Sequence, residues 1–124
     1  MPAYFAELLH RVRQPFNVNS LAQTAAIAAL EDQDFLADTV RLVNDEMDFI
    51  YQALDELEIS YTRSSANFLL IQLNKKADDV FEGLLRQGVI VRSMSSYGYP
   101  DCIRVSVGQH HENVRFLAAL EKVI

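Results

Sequence analysis

Arg92 and Arg104 are the side chains whose type and setting in this sequence suit chemistry. One ends the run Gly88-Val-Ile-Val-Arg92, the other sits inside Cys102-Ile-Arg-Val-Ser-Val107, and a loop rich in Ser, Gly and Tyr joins the two. A guanidinium stays charged at any working pH and offers two parallel N–H donors to the oxygens of a carboxylate or phosphate. An anion site is therefore one reading of the pair. The other is the ordinary state of a strand arginine, solvated or paired with a carboxylate. Tyr97 and Tyr99 lie in the connecting loop, where their hydroxyls are available to an anion.

The remaining reactive residue types are less well set. His110 and His111 are adjacent, so on a helix they point in different directions, and neither they nor His10 has an evident third ligand for a metal. Ser93, Ser95 and Ser96 lack the strand-to-helix context of a nucleophile elbow. Lys75 and Lys76 flank a helix start beside Asp78 and Asp79, and Lys122 lies near the end of the last helix, so each reads as a solvated surface charge. Cys102 is the only cysteine, which excludes an internal disulfide and a cysteine-based metal cluster. A reducing, cytoplasmic compartment follows naturally, and Cys102 reads as packed near the sheet.

Elements must hold these residues in place, and their pattern is legible. Alternation from Cys102 to Val107 sends Ile103, Val105 and Val107 to one face of a strand and Cys102, Arg104 and Ser106 to the other. Val89 to Arg92 reads as a shorter strand with Ile90 and Arg92 on one side, so both arginines border one sheet face or its rim. Ile59 to Arg63 and Asn67 to Leu73 read as two further strands, and the continuous apolar core Phe68 to Ile71 suggests a strand covered on both faces.

Helices account for the rest. Phe5, Leu8, Leu9 and Val12 have helical spacing behind Pro2, and Pro15 disfavours helix at Gln14, leaving Phe16 to Asn19 as a short extended connector. Ser20 can cap an alanine-rich helix through Leu30. Acids in Glu31 to Asp34 open a long helix on which Phe35, Leu42, Val43, Met47, Ile50, Leu54 and Leu57 write one apolar stripe, expected to cover the domain's own sheet. A helix after Lys75 turns Val80, Leu84 and Leu85 inward and stops near Gly88, and a last helix begins at His110. The fold class is thus α+β: a small antiparallel or mixed sheet of about three to four strands with helices mainly on one face.

At 124 residues the chain fits one domain with a real core, yet is short for a complete cofactor enzyme. Eleven Lys+Arg against 17 Asp+Glu give a net charge of −6, which argues against a nucleic-acid binder. Charges interrupt any early apolar run, so no signal peptide is evident. The longest uncharged stretch, Gln14 to Leu30, contains Pro15, Asn17, Asn19, Gln23 and Thr24 and makes a poor membrane span.

The pattern Gly-Val-Ile-Val-Arg92, a Ser/Gly/Tyr loop, Ile-Arg104-Val-Ser-Val-Gly108 and a helix with Glu112-Asn113 near its start closely resembles the end of the histidinol-phosphate aminotransferases. These form a branch of the pyridoxal-phosphate aminotransferases of fold type I. Arg13-Gln-Pro-Phe-Asn-Val-Asn-Ser-Leu-Ala-Gln23 and Ser65-Ala-Asn-Phe-Leu-Leu70 agree with it, so the resemblance covers nearly the whole chain. It implies a C-terminal small domain over residues 20–124, led into by a helix and connector over residues 1–19. The parent would be a homodimeric enzyme of histidine biosynthesis that passes an amino group between a phosphorylated amino alcohol and glutamate/2-oxoglutarate through pyridoxal phosphate. None of the three lysines matches the family's cofactor lysine, which is expected upstream of Met1; the chain alone would be inactive.

By the same resemblance Arg104 would grip the carboxylate of glutamate and the phosphate of the other substrate, and Arg92 would supply the second cation that a phosphate calls for. Two alternatives stay open. One is a related pyridoxal-phosphate enzyme, an aromatic aminotransferase or a threonine-phosphate decarboxylase. The other is a non-catalytic module in which the two arginines hold an anion.

Overall fold

The computed structural model of the chain describes residues 2–13 and 16–124, so the expected break at Gln14 and Pro15 lies outside the described residues. The chain divides into two compact units, Met1–Ala37 and Asp38–Ile124. The first holds α1 (Ala3–Val12), α2 (Ser20–Glu31) and the start of α3 (Gln33–Glu56). The second holds the rest of α3, then β1 (Tyr61–Thr62), β2 (Phe68–Gln72), α4 (Ala77–Arg86), β3 (Arg92–Ser93), a single 3₁₀ turn at Ser95–Tyr97, β4 (Cys102–Ser106) and α5 (His110–Val123).

In the first unit the helix after Pro2 and the alanine-rich helix form as their patterns predict. The cap of α2 is Asn19 rather than Ser20: its Oδ1 accepts from the Ala22 N–H at 2.9 Å. Asn and Ser cap equally well, so composition alone did not choose between neighbours. Asp32 caps α3 in the same way, its Oδ1 accepting from Phe35 N–H. The connector is not extended throughout, because Phe16 adopts a left-handed φ of +61°. No residue of α1 or α2 is buried.

The second unit is built on one four-stranded sheet of order β1-β2-β4-β3, antiparallel at every pairing. Leu69 and Ile71 of β2 and Ile103 and Val105 of β4 send their side chains to one face, where Ile50, Leu54, Val80, Leu84, Phe116 and Leu120 of α3, α4 and α5 meet them in a single apolar core. All three helices therefore lie on that face. Gly83 lets α4 and α5 close up, since a Cβ there would stand 3.0 Å from Val123 Cγ1.

Three expectations about burial need correction. β2 is covered on one face only: Leu69 and Ile71 are fully buried, whereas Phe68 is exposed and Leu70 half-buried, because among the described residues of this unit no helix lies over the other face. The stripe of α3 is buried only from Met47 onward; Leu42 in the same unit stays 42% exposed, and Phe35, in the first unit, 62% exposed. Leu85 faces solvent on α4 rather than inward.

The strand predicted over Val89 to Arg92 pairs only at Arg92 and Ser93. The C-terminal turn of α4 claims the preceding residues: Gln87 N–H and Val89 N–H both bond to Leu84 O, and Gly88, at φ +75°, bonds to Leu85 O. The predicted alternation nevertheless holds, with Val91 buried and Ile90 80% exposed.

These burials set up a stability contrast. In the chain of 124 residues, Leu54→Ala is expected to lower unfolding free energy by about 2–5 kcal/mol. Phe35→Ala should change it by less than about 0.5 kcal/mol. Urea denaturation of the two variants measures the difference, and equal losses would show a stripe covered along its whole length.

Candidate anion-binding site

The face left bare by the helices carries Thr62, Leu70, Arg104 and Arg92 in one row, set by the register Thr62↔Leu70, Leu70↔Arg104 and Arg92↔Arg104. The two arginines are thus direct cross-strand partners on adjacent antiparallel strands. Like charges placed opposite one another destabilise a sheet, by up to about 1 kcal/mol. Among the described residues the ion pairs are Arg11–Glu7, Arg41–Asp38, Arg86–Glu82 and His110–Glu46, so neither Arg92 nor Arg104 has a carboxylate partner.

Aromatic rings support both guanidiniums. Arg104 Cζ lies 5.0 Å from the centroid of Phe68, its diagonal neighbour across the β2–β4 ladder. Arg92 Cζ lies 5.4 Å from the centroid of Tyr97, and its Nη2 donates to the Tyr97 hydroxyl at 2.8 Å. Contacts of this kind are worth about 0.5–1 kcal/mol at exposed sites. Phe68 escaped the sequence reading because its place in an apolar run marked it as core. Tyr99 is exposed and makes no side-chain hydrogen bond among the described residues.

The loop that carries Tyr97 is pinned on both sides. Ser93 Oγ donates to Asp78 Oδ1 at the start of α4, Met94 N–H bonds to Cys102 O, and Tyr97 N–H and Tyr99 N–H both reach Met94 O. Gly98, at φ +86°, closes the 3₁₀ turn. Pro100 O accepts from Ala77 N–H and Asp101 O from Leu73 N–H. Cys102 lies buried beneath, as expected; burial first, then the adjacent Asp101 carboxylate, push its thiol above the ordinary range. Tyr61 is raised as well, by desolvation and then by Asp55, with Arg63 opposing.

A polar knot that the sequence did not reveal fixes the far end of β4. Asn113 is 3% exposed; its Nδ2 donates to Glu46 Oε2 at 2.8 Å and to Gly108 O at 2.9 Å, and its Oδ1 accepts from Gly108 N–H at 3.0 Å. His110 Nδ1 meets Glu46 Oε1 at 3.0 Å, so one carboxylate on α3 ties down the start of α5. Glu112 Oε2 accepts from Gln109 N–H at 2.8 Å as half of a capping box. A Cβ at Gly108 would come within 2.6 Å of that same Oε2 and push the Glu112 carboxylate out of its capping position. Beside the knot, a cavity of about 440 Å³ is lined by Gly88 to Val91, Val105 to Gly108 and the first turns of α5; the arginine pair stands outside it.

The three lysines lie on the surface. Lys75, Lys76 and Lys122 are all exposed, and Lys75 Nζ donates to Val123 O at 3.1 Å. No helix among the described residues is long and apolar enough to cross a membrane.

The exposed sheet face thus presents Arg92 and Arg104 side by side with no carboxylate partner among the described residues. The sequence model of the aminotransferase class I and II family matches residues 3–120, and the chain belongs to that family. It is 49% identical over 119 residues to histidinol-phosphate aminotransferase 2 of Pseudomonas fluorescens, covering 96% of this chain and 32% of that protein. The structure of histidinol-phosphate aminotransferase from Clostridium acetobutylicum shares the fold, with a TM-score of 0.76 at 23% identity over 97% of this chain and 37% of that one. The enzyme from Sinorhizobium meliloti, solved in complex with pyridoxal-5'-phosphate, gives 0.73 at 25% identity, covering 95% and 33%. The chain spans about a third of the length of the curated relatives it matches.

Two measurements probe this framework. Asn113→Ala strands the Gly108 N–H and removes a donor from Glu46, and should cost about 2–3 kcal/mol in thermal or urea unfolding. Cys102, buried and with a raised thiol pKa, should react with a thiol reagent at pH 8 at least about tenfold more slowly in the folded chain than in denaturant; equal rates would contradict its burial.

Proposed function

We propose that the chain is the C-terminal small domain, residues 20–124 with the lead-in segment 1–19, of a histidinol-phosphate aminotransferase. The complete enzyme would transfer an amino group from histidinol phosphate to 2-oxoglutarate in histidine biosynthesis. The observation that carries this reading is the cross-strand partnership of Arg92 and Arg104 without a neighbouring acid. An oxyanion between two like charges removes their repulsion and gains charge-assisted bonds from both.

The two substrates differ in what they ask of the pair. A carboxylate carries one charge, and the forked donors of Arg104 suffice for it. A phosphate carries about 1.5–2 charges near neutral pH and has three acceptor oxygens, which suits both guanidiniums. Arg104 therefore binds the carboxylate of glutamate and the phosphate of histidinol phosphate in turn, and Arg92 is recruited chiefly for the phosphate. Pyridoxal phosphate supplies the electron sink for the amino-group chemistry, and it would be held by a part of the protein outside this chain. We further infer a homodimeric, cytoplasmic enzyme; the lone thiol of Cys102 suits a reducing compartment.

Each charge-assisted bond is worth about 1.5–3 kcal/mol, or roughly 10- to 150-fold in kcat/KM. In the complete enzyme, Arg104→Lys should impair the half-reactions with both substrates by that order. Arg92→Ala should impair histidinol phosphate by that factor and glutamate by several-fold less. Single-turnover kinetics of each half-reaction separate the two, and equal loss for both substrates in Arg92→Ala would refute the division of labour.

A further inference from the structure

We propose that Tyr97 is a substrate-binding and selectivity residue of the paired-arginine site, acting on the phosphate arm alone. This rests on the reading of Arg92 just given and adds a donor to it. The Tyr97 hydroxyl already accepts from Arg92 Nη2 at 2.8 Å, and its ring lies against the same guanidinium. A phenol that accepts one hydrogen bond still has its own proton to give. Among the described residues that proton has no acceptor, and the side chain is 57% exposed. Donation from the guanidinium draws electron density from the phenol oxygen, which makes its O–H a better donor to an anion.

Position argues for selectivity. Arg104 is held by a central strand hydrogen-bonded on both sides and by Phe68, with no dependence on the loop. Arg92 stands on the two-residue edge strand β3, where the fixed contact for its head group is Tyr97. The loop's own anchors, Ser93 to Asp78 and Tyr97 N–H to Met94 O, hold the ring in place without using the hydroxyl. The phenol thus sets the orientation of the second cation and donates to the same anion. A tetrahedral phosphate has an oxygen to spare for it, and a planar carboxylate gripped by Arg104 does not.

Tyr97→Phe keeps the ring and the loop while deleting the hydroxyl, so it isolates the claim. In the complete enzyme KM for histidinol phosphate should rise about tenfold or more, with KM for glutamate unchanged within about twofold and the melting temperature preserved. Tyr97→Leu, which also removes the ring beneath Arg92, should raise the phosphate KM further. An unaltered phosphate KM in Tyr97→Phe, or equal rises for both substrates, overturns the proposal. Arg92→Ala run in parallel keeps the two inferences apart. A selective phosphate defect there beside an unaffected Tyr97→Phe removes only the tyrosine's role, and equal defects for both substrates in Arg92→Ala remove both.

Discussion

The constraint on which the structure turns is the two-sidedness of β4. Its odd-numbered residues Ile103 and Val105 are locked into the core, and this forces Arg104 between them onto the opposite, bare face. A side-chain period of two leaves no intermediate register. The pairing Arg92↔Arg104 then follows from the β3–β4 ladder and sets two cations side by side. Their mutual repulsion is small beside the apolar burial on the other face, where each fully buried Leu, Ile or Val side chain is worth about 1.5–3 kcal/mol. The core can therefore hold a locally unfavourable charge arrangement in place, ready for the anion proposed above.

Polar anchoring serves the same end at the two ends of that strand. At its start, Asp101 and Pro100 give their carbonyls to Leu73 and Ala77, so the loop cannot swing away from β2 and α4. At its finish, Asn113 spans Gly108 on both backbone groups and passes the load to Glu46. Both ends are thus tied to helices of the covered face. A guanidinium fork recognises two oxygens through fixed geometry, and a strand free to slide would blur it.

Much of this was legible in the chain itself, for identifiable reasons. Strict alternation around Arg104 fixed its face, and Gly88 and Gly108 marked the ends of the neighbouring segments. The exposed side of β2 was not legible, because Phe68 and Leu70 are as apolar as Leu69 and Ile71, and apolar type alone does not say whether a covering layer exists. The stripe on α3 misled for a related reason: period reports a face, and the extent of the partner it meets is a tertiary fact. Glu46 and Asn113 lie far apart in the chain, so their hydrogen bond left no local signal. The support of Arg92 by Tyr97 was closer to reach, since both belong to one loop, but the turn that brings ring and guanidinium together depends on Gly98 and on anchors across β4.

The unequal footing of the two arginines bears on how the proposed site would serve two anions. Arg104 sits on a central strand, half-buried, with neighbours on both sides and a ring at its back, so its orientation is set independently of the loop. Arg92 is exposed at the edge, and its orientation is set by a side chain on a turn. Changes in that turn can alter how a second cation meets the ligand without disturbing the first. On the proposed function, a carboxylate would be recognised by what the sheet fixes, and a phosphate by that plus what the loop adds. On that reading, discrimination between ligands that share one binding arm would lie in the part of the fold least constrained by the core, where substitutions cost little stability and change the second arm alone.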